Sequence, residues 1–173
     1  MCAIVARQLW LQRNMVVYGA SAWRKPHVDY IKVNWDASLN ARKSRVGIGV
    51  VARDHAGRVV AVLSDSEVAT TDPEGAETLA TCYATDMCHY LGLRNVILEG
   101  DALMVVRSLQ KGKCHWGRLR HVLNDTTQKL QTMQEWRVDH IPQEANVVAH
   151  RIATLALSIP DRQIWVEGPT FKL

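Results

Sequence analysis

Between Val28 and Ser64 the chain carries three runs with strand character and no helical period. Val28 to Ser38 is the first. Val46 to Arg53, the second, is apolar on both faces with Gly47 and Gly49 set among branched residues, the pattern of a central strand covered on both sides. Asp54-His55-Ala56-Gly57 turns the chain, and Arg58 to Ser64 returns as the third, closing a hairpin. Three strands in succession imply an antiparallel meander at the start of the sheet.

The period changes after Asp72. Asp72 can cap a helix, Pro73 suits its first position and Glu74 favours the positive end of the helix dipole. Ala76, Leu79, Ala80, Tyr83, Ala84, Met87 and Leu91 recur at helical spacing, and Gly92 ends the run. Val96 to Leu98 reads as a short buried strand and Ala102 to Gln110 as a second helix, stopped near Gly112. Residues 117–133 read as a third helix, and Glu135 to Ile141 as a fifth strand, interrupted by Pro142. Ala145, Val148, Ala149, Ile152, Ala153 and Ala156 make a fourth amphipathic helix. The order βββαβααβα, with no internal repeat, predicts an α/β domain in which helices cover a mixed sheet. A site in such a sheet forms at the carboxyl ends of adjacent strands. The expected boundaries are a domain over residues 28–160, a short helix and linker over 1–27, and a tail over 161–173.

A chain of 173 residues suits one such domain. The net charge is +4, and basic residues gather at Arg42, Lys43 and Arg45 and again at Lys111, Lys113, Arg118 and Arg120. Such clusters suit a polyanionic partner or a solvated surface. Cys2, Cys82, Cys88 and Cys114 show no CxxC spacing, so reduced thiols of an intracellular protein are expected, not a disulfide framework or zinc site. No apolar run is long enough to span a bilayer, so no membrane partner is expected. Arg7, Gln8, Gln12 and Arg13 interrupt the apolar N-terminus, which makes it a poor signal peptide.

Three carboxylates stand where a cation site would want them. Asp36 ends the run Ile31-Lys32-Val33-Asn34-Trp35-Asp36, Glu77 lies at the edge of the apolar stripe of the first helix, and Asp101 ends Asn95-Val96-Ile97-Leu98-Glu99-Gly100-Asp101. A buried carboxylate is costly unless it is paired or binds a cation. Three on successive elements of one small domain suggest a shared Mg²⁺ or Mn²⁺ site. Asp101 can also cap the helix that follows, and Glu99, two residues earlier and on the same face, is a substitute partner. Gly47 and Gly49 admit two accounts: room for a nucleic-acid backbone, or room for a covering helix. Trp116 and Trp136 read as packing residues.

The stretches Val33-Asn34-Trp35-Asp36-Ala37-Ser38, Gly47 to Asp54, Gly75-Ala76-Glu77-Thr78-Leu79-Ala80, Leu98-Glu99-Gly100-Asp101-Ala102 and His140 to Ala153 resemble, in this order, the plant reverse-transcriptase-like type 1 ribonuclease H domains. The resemblance covers roughly residues 30–158. Upstream, Trp10-Leu11-Gln12-Arg13-Asn14 looks like the segment joining such domains to a retroelement reverse transcriptase. The resemblance implies a five-stranded mixed sheet and hydrolysis of the RNA strand of an RNA–DNA hybrid with two divalent ions; a monomer is expected. It implies that Asp36 bridges both ions, that Glu77 and Asp101 hold the one near the leaving group, and that His140 lies in a flexible loop and assists proton transfer or product release. His150 stands where better-characterised members have an aspartate. A neutral imidazole there brings one nitrogen and no charge, which suits Mn²⁺ better than Mg²⁺. Expected nucleic-acid contacts are Ser38, Arg42, Lys43, Arg45, Lys113, Arg118, Arg120 and Asn146. The competing expectations are a module that binds hybrid or other double-stranded nucleic acid without turnover, and a remnant of a decayed retroelement.

Overall fold

The computed structural model describes residues 23–69, 72–112, 117, 119–159 and 161–166. Six strands form one sheet in the order β5-β4-β1-β2-β3-β6. The meander is β1 (Ile31–Asn40), β2 (Arg45–Arg53) and β3 (Val59–Val68), all antiparallel. β4 (Asn95–Gly100) then pairs with β1 in parallel, and β5 (Glu135–His140) pairs with β4 in parallel. The helices are α1 (Pro73–Tyr90), α2 (Leu103–Lys111), α3 (Arg120–Gln131) and α4 (Val147–Ala156). The mixed α/β architecture is the expected one. At the start of α1 the Asp72 side chain accepts from the Gly75 N–H at 2.7 Å, and Pro73 occupies the first turn, where a missing N–H costs nothing.

Alternation along β1 and β2 divides the interior into two layers. Val33, Trp35, Val46, Ile48 and Val50 join α1, α2 and α3 in the larger core; Val51, Val59 and Val62 meet Val148, Ala149 and Ile152 of α4 on the other face. Full burial of side chains this size stabilises by roughly 1.5–3 kcal/mol each. Trp136 packs at the edge of the larger core, as expected. Gly47 and Gly49 make room for α4. A Cβ on Gly47 would sit 2.1 Å from the Ala153 carbonyl oxygen, and one on Gly49 would sit 2.3 Å from that of Ala149. Glycine therefore lets a helix backbone lie directly on the sheet beside Asp36, whose partner across β1–β2 is Gly49.

Four expectations change. β1 continues four residues past Asp36, to Asn40, so Asp36 is a mid-strand residue. His140 closes β5 opposite Gly100 and is not in a loop. The sheet has six strands, because Gln163–Val166, expected within a tail, pairs antiparallel with β3 as β6. Arg162, just before β6, fastens it with a 2.6 Å ion pair to Asp65. The described end of the expected linker, Trp23 to His27, also packs on the sheet. Trp23 Nε1 donates to Asn34 Oδ1 at 3.1 Å, the Trp23 ring lies 3.8 Å from the Arg53 guanidinium carbon, and Lys32 Nζ donates to the Arg24 carbonyl at 2.6 Å. Beneath that cover Lys32 and Glu99 form a buried ion pair of 2.7 Å, and Arg53 donates to Asn34 at 2.8 Å. Burial lowers the Arg53 pKa to about 10, against the opposing pull of Glu99. Residues 1–22, including the Trp10 segment, lie outside the described residues.

Candidate metal centre

Asp36, Glu77 and Asp101 converge, each offering an oxygen within 4.8 Å of the others. Three elements bring them together. Asp36 comes from the middle of β1 and is 3 % exposed, Glu77 from the second turn of α1, and Asp101 from the residue directly after β4. α1 packs against β1, and the Ala37 N–H donates to Glu77 Oε1 at 3.1 Å, so the residue after one carboxylate orients the next. Glu77 Oε2 is buried with no hydrogen-bond partner among the described residues.

The electrostatics show strain of the same kind. Burial, then the charge of Asp101, raises the Asp36 carboxyl from 3.8 to about 7, while His150 pulls it down. Burial, then the charges of Asp36 and Asp101, raises Glu77 from 4.5 to about 9, against the pull of the Ala37 N–H. Carboxylates this close hold protons because their negative forms repel and are poorly solvated. A hard divalent cation removes both penalties and supplies the partner that Glu77 Oε2 lacks. An all-oxygen donor set of this kind fits Mg²⁺, Ca²⁺ or Mn²⁺.

α4 supplies the remaining wall. Asn146 stands at its N-cap position without making a capping bond. Its side-chain Nδ2 instead donates to the Trp35 carbonyl at 2.8 Å and to Asp101 Oδ1 at 3.2 Å, and lies 3.5 Å from Asp36 Oδ1. One turn on, His150 Nδ1 lies 2.9 Å from Asp36 Oδ2. His150 is 45 % exposed at its side chain and reaches the carboxylate group through Asp36 alone. His140 is exposed at the rim, its Nε2 donating to the Asp101 carbonyl at 3.1 Å. Glu99 turns away from the site: Lys32 and Asn34 occupy its two oxygens.

The expected nucleic-acid residues divide. Arg42 and Lys43 are exposed on the short turn Ala41–Lys43 after β1, and Arg120 is exposed at the start of α3. Ser38 is half-buried on β1, opposite Gly47. Arg45 is drawn onto β3, where Nη2 donates to the Ser66 carbonyl at 3.2 Å. Asn146 is 1 % exposed, so its amide serves the carboxylates and the Trp35 carbonyl. Lys113 and Arg118, like Trp116, lie outside the described residues. A cleft of about 300 Å³ opens beside Glu77 and Asp101, lined by Pro73, Glu74, Leu103 and Met104 among others. Leu103 and Met104 are 39 % and 46 % exposed, an apolar shelf that sequence reasoning missed. The signal available was two apolar residues in the first turn after Asp101, on the side of α2 that its core stripe leaves free.

Residues 34–156 match the model of a family described as reverse transcriptase-like. The chain belongs to that family, and its fold is that of ribonuclease H. RNase H1 from the halophilic archaeon Halobacterium salinarum NRC-1 is similar at 22 % identity and a TM-score of 0.69, over 75 % of this chain and 98 % of that one. The N-terminal RNase H domain of rv2228c from Mycobacterium tuberculosis, solved as a fusion with maltose-binding protein, is similar at 18 % identity and a TM-score of 0.68, over 75 % and 94 %. LC11-RNase H1, isolated from compost and solved in complex with an RNA/DNA hybrid, is similar at 22 % identity and a TM-score of 0.65, over 74 % and 96 %. No curated protein matches the chain. Among the described residues no helix is long and apolar enough to cross a membrane.

Proposed function

We propose that this chain is a divalent-cation-dependent endonuclease of ribonuclease H type 1 character, acting on the RNA strand of RNA–DNA hybrids. One observation carries the proposal: three carboxylates from β1, α1 and the end of β4 each offer an oxygen within 4.8 Å of the others, and one of their buried oxygens lacks a partner among the described residues. The family and the fold support a nuclease, and a structural neighbour holding an RNA/DNA hybrid supports that ligand class.

Asp36, Glu77 and Asp101, with His150 beside Asp36, would hold two Mg²⁺ or Mn²⁺ ions. Bound there, the ions would supply an activated water and a stabilised leaving 3′ oxygen. The chain's own groups have distinct duties. The Ala37 N–H orients Glu77, and Asn146 restrains Asp36 and Asp101. His140, exposed beside Asp101, assists proton transfer or product release at the cleft rim. Arg42, Lys43 and Arg120 meet phosphates, with Ser38, Lys113 and Arg118 as further contacts. Recognition through phosphates, groove shape and 2′-hydroxyls makes cleavage indifferent to base sequence. The domain acts as a monomer inside the cell and is compatible with a reverse transcriptase domain joined upstream.

The test is cleavage of an end-labelled RNA–DNA hybrid in Mg²⁺ and, separately, in Mn²⁺, with Asp36→Asn as control. Cleavage in the parent and none in the control supports the enzyme. The His150–Asp36 contact favours a second reading, in which the imidazole occupies a bridging oxygen and the domain binds hybrid without cutting it. Salt-sensitive hybrid binding with no cleavage in either metal would select that reading.

A further inference from the structure

We infer that Trp35 and Gly100 form an interlock that sets the separation of Asp36 and Asp101, making both positioning residues for the cation site. The inference rests on the reading of that site as a metal centre. Each residue immediately precedes one of the carboxylates. Parallel pairing of β1 with β4 runs from Ile31↔Val96 to Asn34↔Glu99. Trp35 and Gly100 come next on their strands, where that pairing has ended and packing must hold the two strands at their distance.

The fit there is close. A Cβ on Gly100 would lie 2.4 Å from Trp35 Cζ2, 2.5 Å from Cε2 and 3.0 Å from Nε1, all in the rigid ring. Gly100 is not among the positive-φ glycines, so its backbone conformation does not call for glycine; the indole does. The indole is fully buried, and its N–H has no partner among the described residues. A buried Trp N–H usually finds an acceptor, and leaving one unmade is costly. A tryptophan kept under that penalty is there for its shape. Its carbonyl also accepts from Asn146, the residue that reaches both carboxylates. Ring, missing side chain and amide thus form a single brace behind the site. A side chain at position 100 would push β4 from β1 and carry Asp101 away from Asp36.

The test is a double-mutant cycle of Gly100→Ala and Trp35→Phe, with Mn²⁺ affinity measured by calorimetry and electron paramagnetic resonance at a temperature where circular dichroism finds each protein folded. Hybrid cleavage is measured in parallel. The interlock predicts that Gly100→Ala weakens Mn²⁺ binding by roughly tenfold or more, the scale for losing support behind metal ligands. It predicts that adding Trp35→Phe, whose smaller ring vacates the space, recovers most of that loss. Should Gly100→Ala fail to fold, Trp35→Phe alone is read, and it weakens Mn²⁺ binding by about threefold. Parental affinity in Gly100→Ala, or a loss that Trp35→Phe leaves unrelieved, overturns the interlock, as does parental affinity in Trp35→Phe where that variant alone is read. A parent that binds no Mn²⁺ overturns the metal-centre reading itself, and the inference with it.

Discussion

His150 and Asp36 are in direct contact: the imidazole Nδ1 lies 2.9 Å from the carboxylate Oδ2, on the side of Asp36 facing α4. The contact exists because Gly49 lets α4 lie on the sheet and because His150 is one helical turn past Asn146. It ties up one oxygen of the residue with the largest share of the proposed cation binding.

Replacing that imidazole with a carboxylate supplies a hard oxygen donor in its place. We expect His150→Asp to raise Mg²⁺-supported cleavage by roughly tenfold and to narrow the gap between Mn²⁺ and Mg²⁺. The measurement is initial rate against metal concentration for both proteins. An unchanged Mg²⁺ rate would show that His150 does not limit cation use.

The raised carboxyls predict an unusual pH dependence. Asp36 moves from 3.8 to about 7 and Glu77 from 4.5 to about 9 on folding. The folded state therefore binds these protons more tightly than the unfolded state. The stability this confers is present below the unfolded values and is lost as pH rises from about 4 towards about 9, by on the order of a few kcal/mol. Metal-free protein should melt at progressively lower temperature across that window, and millimolar Mn²⁺ should reverse the trend. A melting temperature that stays flat from pH 5 to 9 without metal would contradict the crowding of these carboxylates.

Gly49→Ala places a methyl group 2.3 Å from the Ala149 carbonyl oxygen. Both are backbone-anchored, so α4 must lift. We expect a loss of about 2–3 kcal/mol in urea unfolding, with hybrid cleavage falling further than stability alone explains, because α4 also carries Asn146 and His150. Parental stability would mean that α4 does not rest on β2 at Gly49.

Trp23→Ala uncovers the buried group of Lys32, Asn34, Arg53 and Glu99. Loss of the indole over Arg53 and of its hydrogen bond to Asn34 should cost about 2 kcal/mol, and Trp23→Phe, which keeps the ring face, about 1 kcal/mol. Equilibrium denaturation in urea reads both. A Trp23→Ala protein within error of the parent would return Trp23 to the linker.

The three carboxylates were legible mainly because their order along the chain matched a known pattern; Asp101 directly follows a short apolar run, but Asp36 lies mid-strand and Glu77 in the second turn of α1, where no change of element marks them. The burial of Lys32 and Asn34 has no local signal, since polar residues alternating with Val33 and Trp35 look like the wet side of a strand. They are buried because Trp23 covers them, a contact across sequence that no local pattern announces. β6 escaped notice for a related reason: Gln163–Val166 is a four-residue edge strand whose pairing is specified by β3. Asn146 is expected from sequence to contact nucleic acid, and only the approach of α4 to Trp35 and Asp101 settles what its amide touches.

Trp23 is pinned against Lys32, Asn34 and Arg53, and Lys32 and Asn34 lie on β1 four and two residues ahead of Asp36, so the chain's entry to the sheet is fixed on the strand that carries the first carboxylate. A pull on the backbone at Trp23 would therefore be felt along β1 at Asp36, which ties the way the domain is mounted to the geometry of its carboxylate cluster.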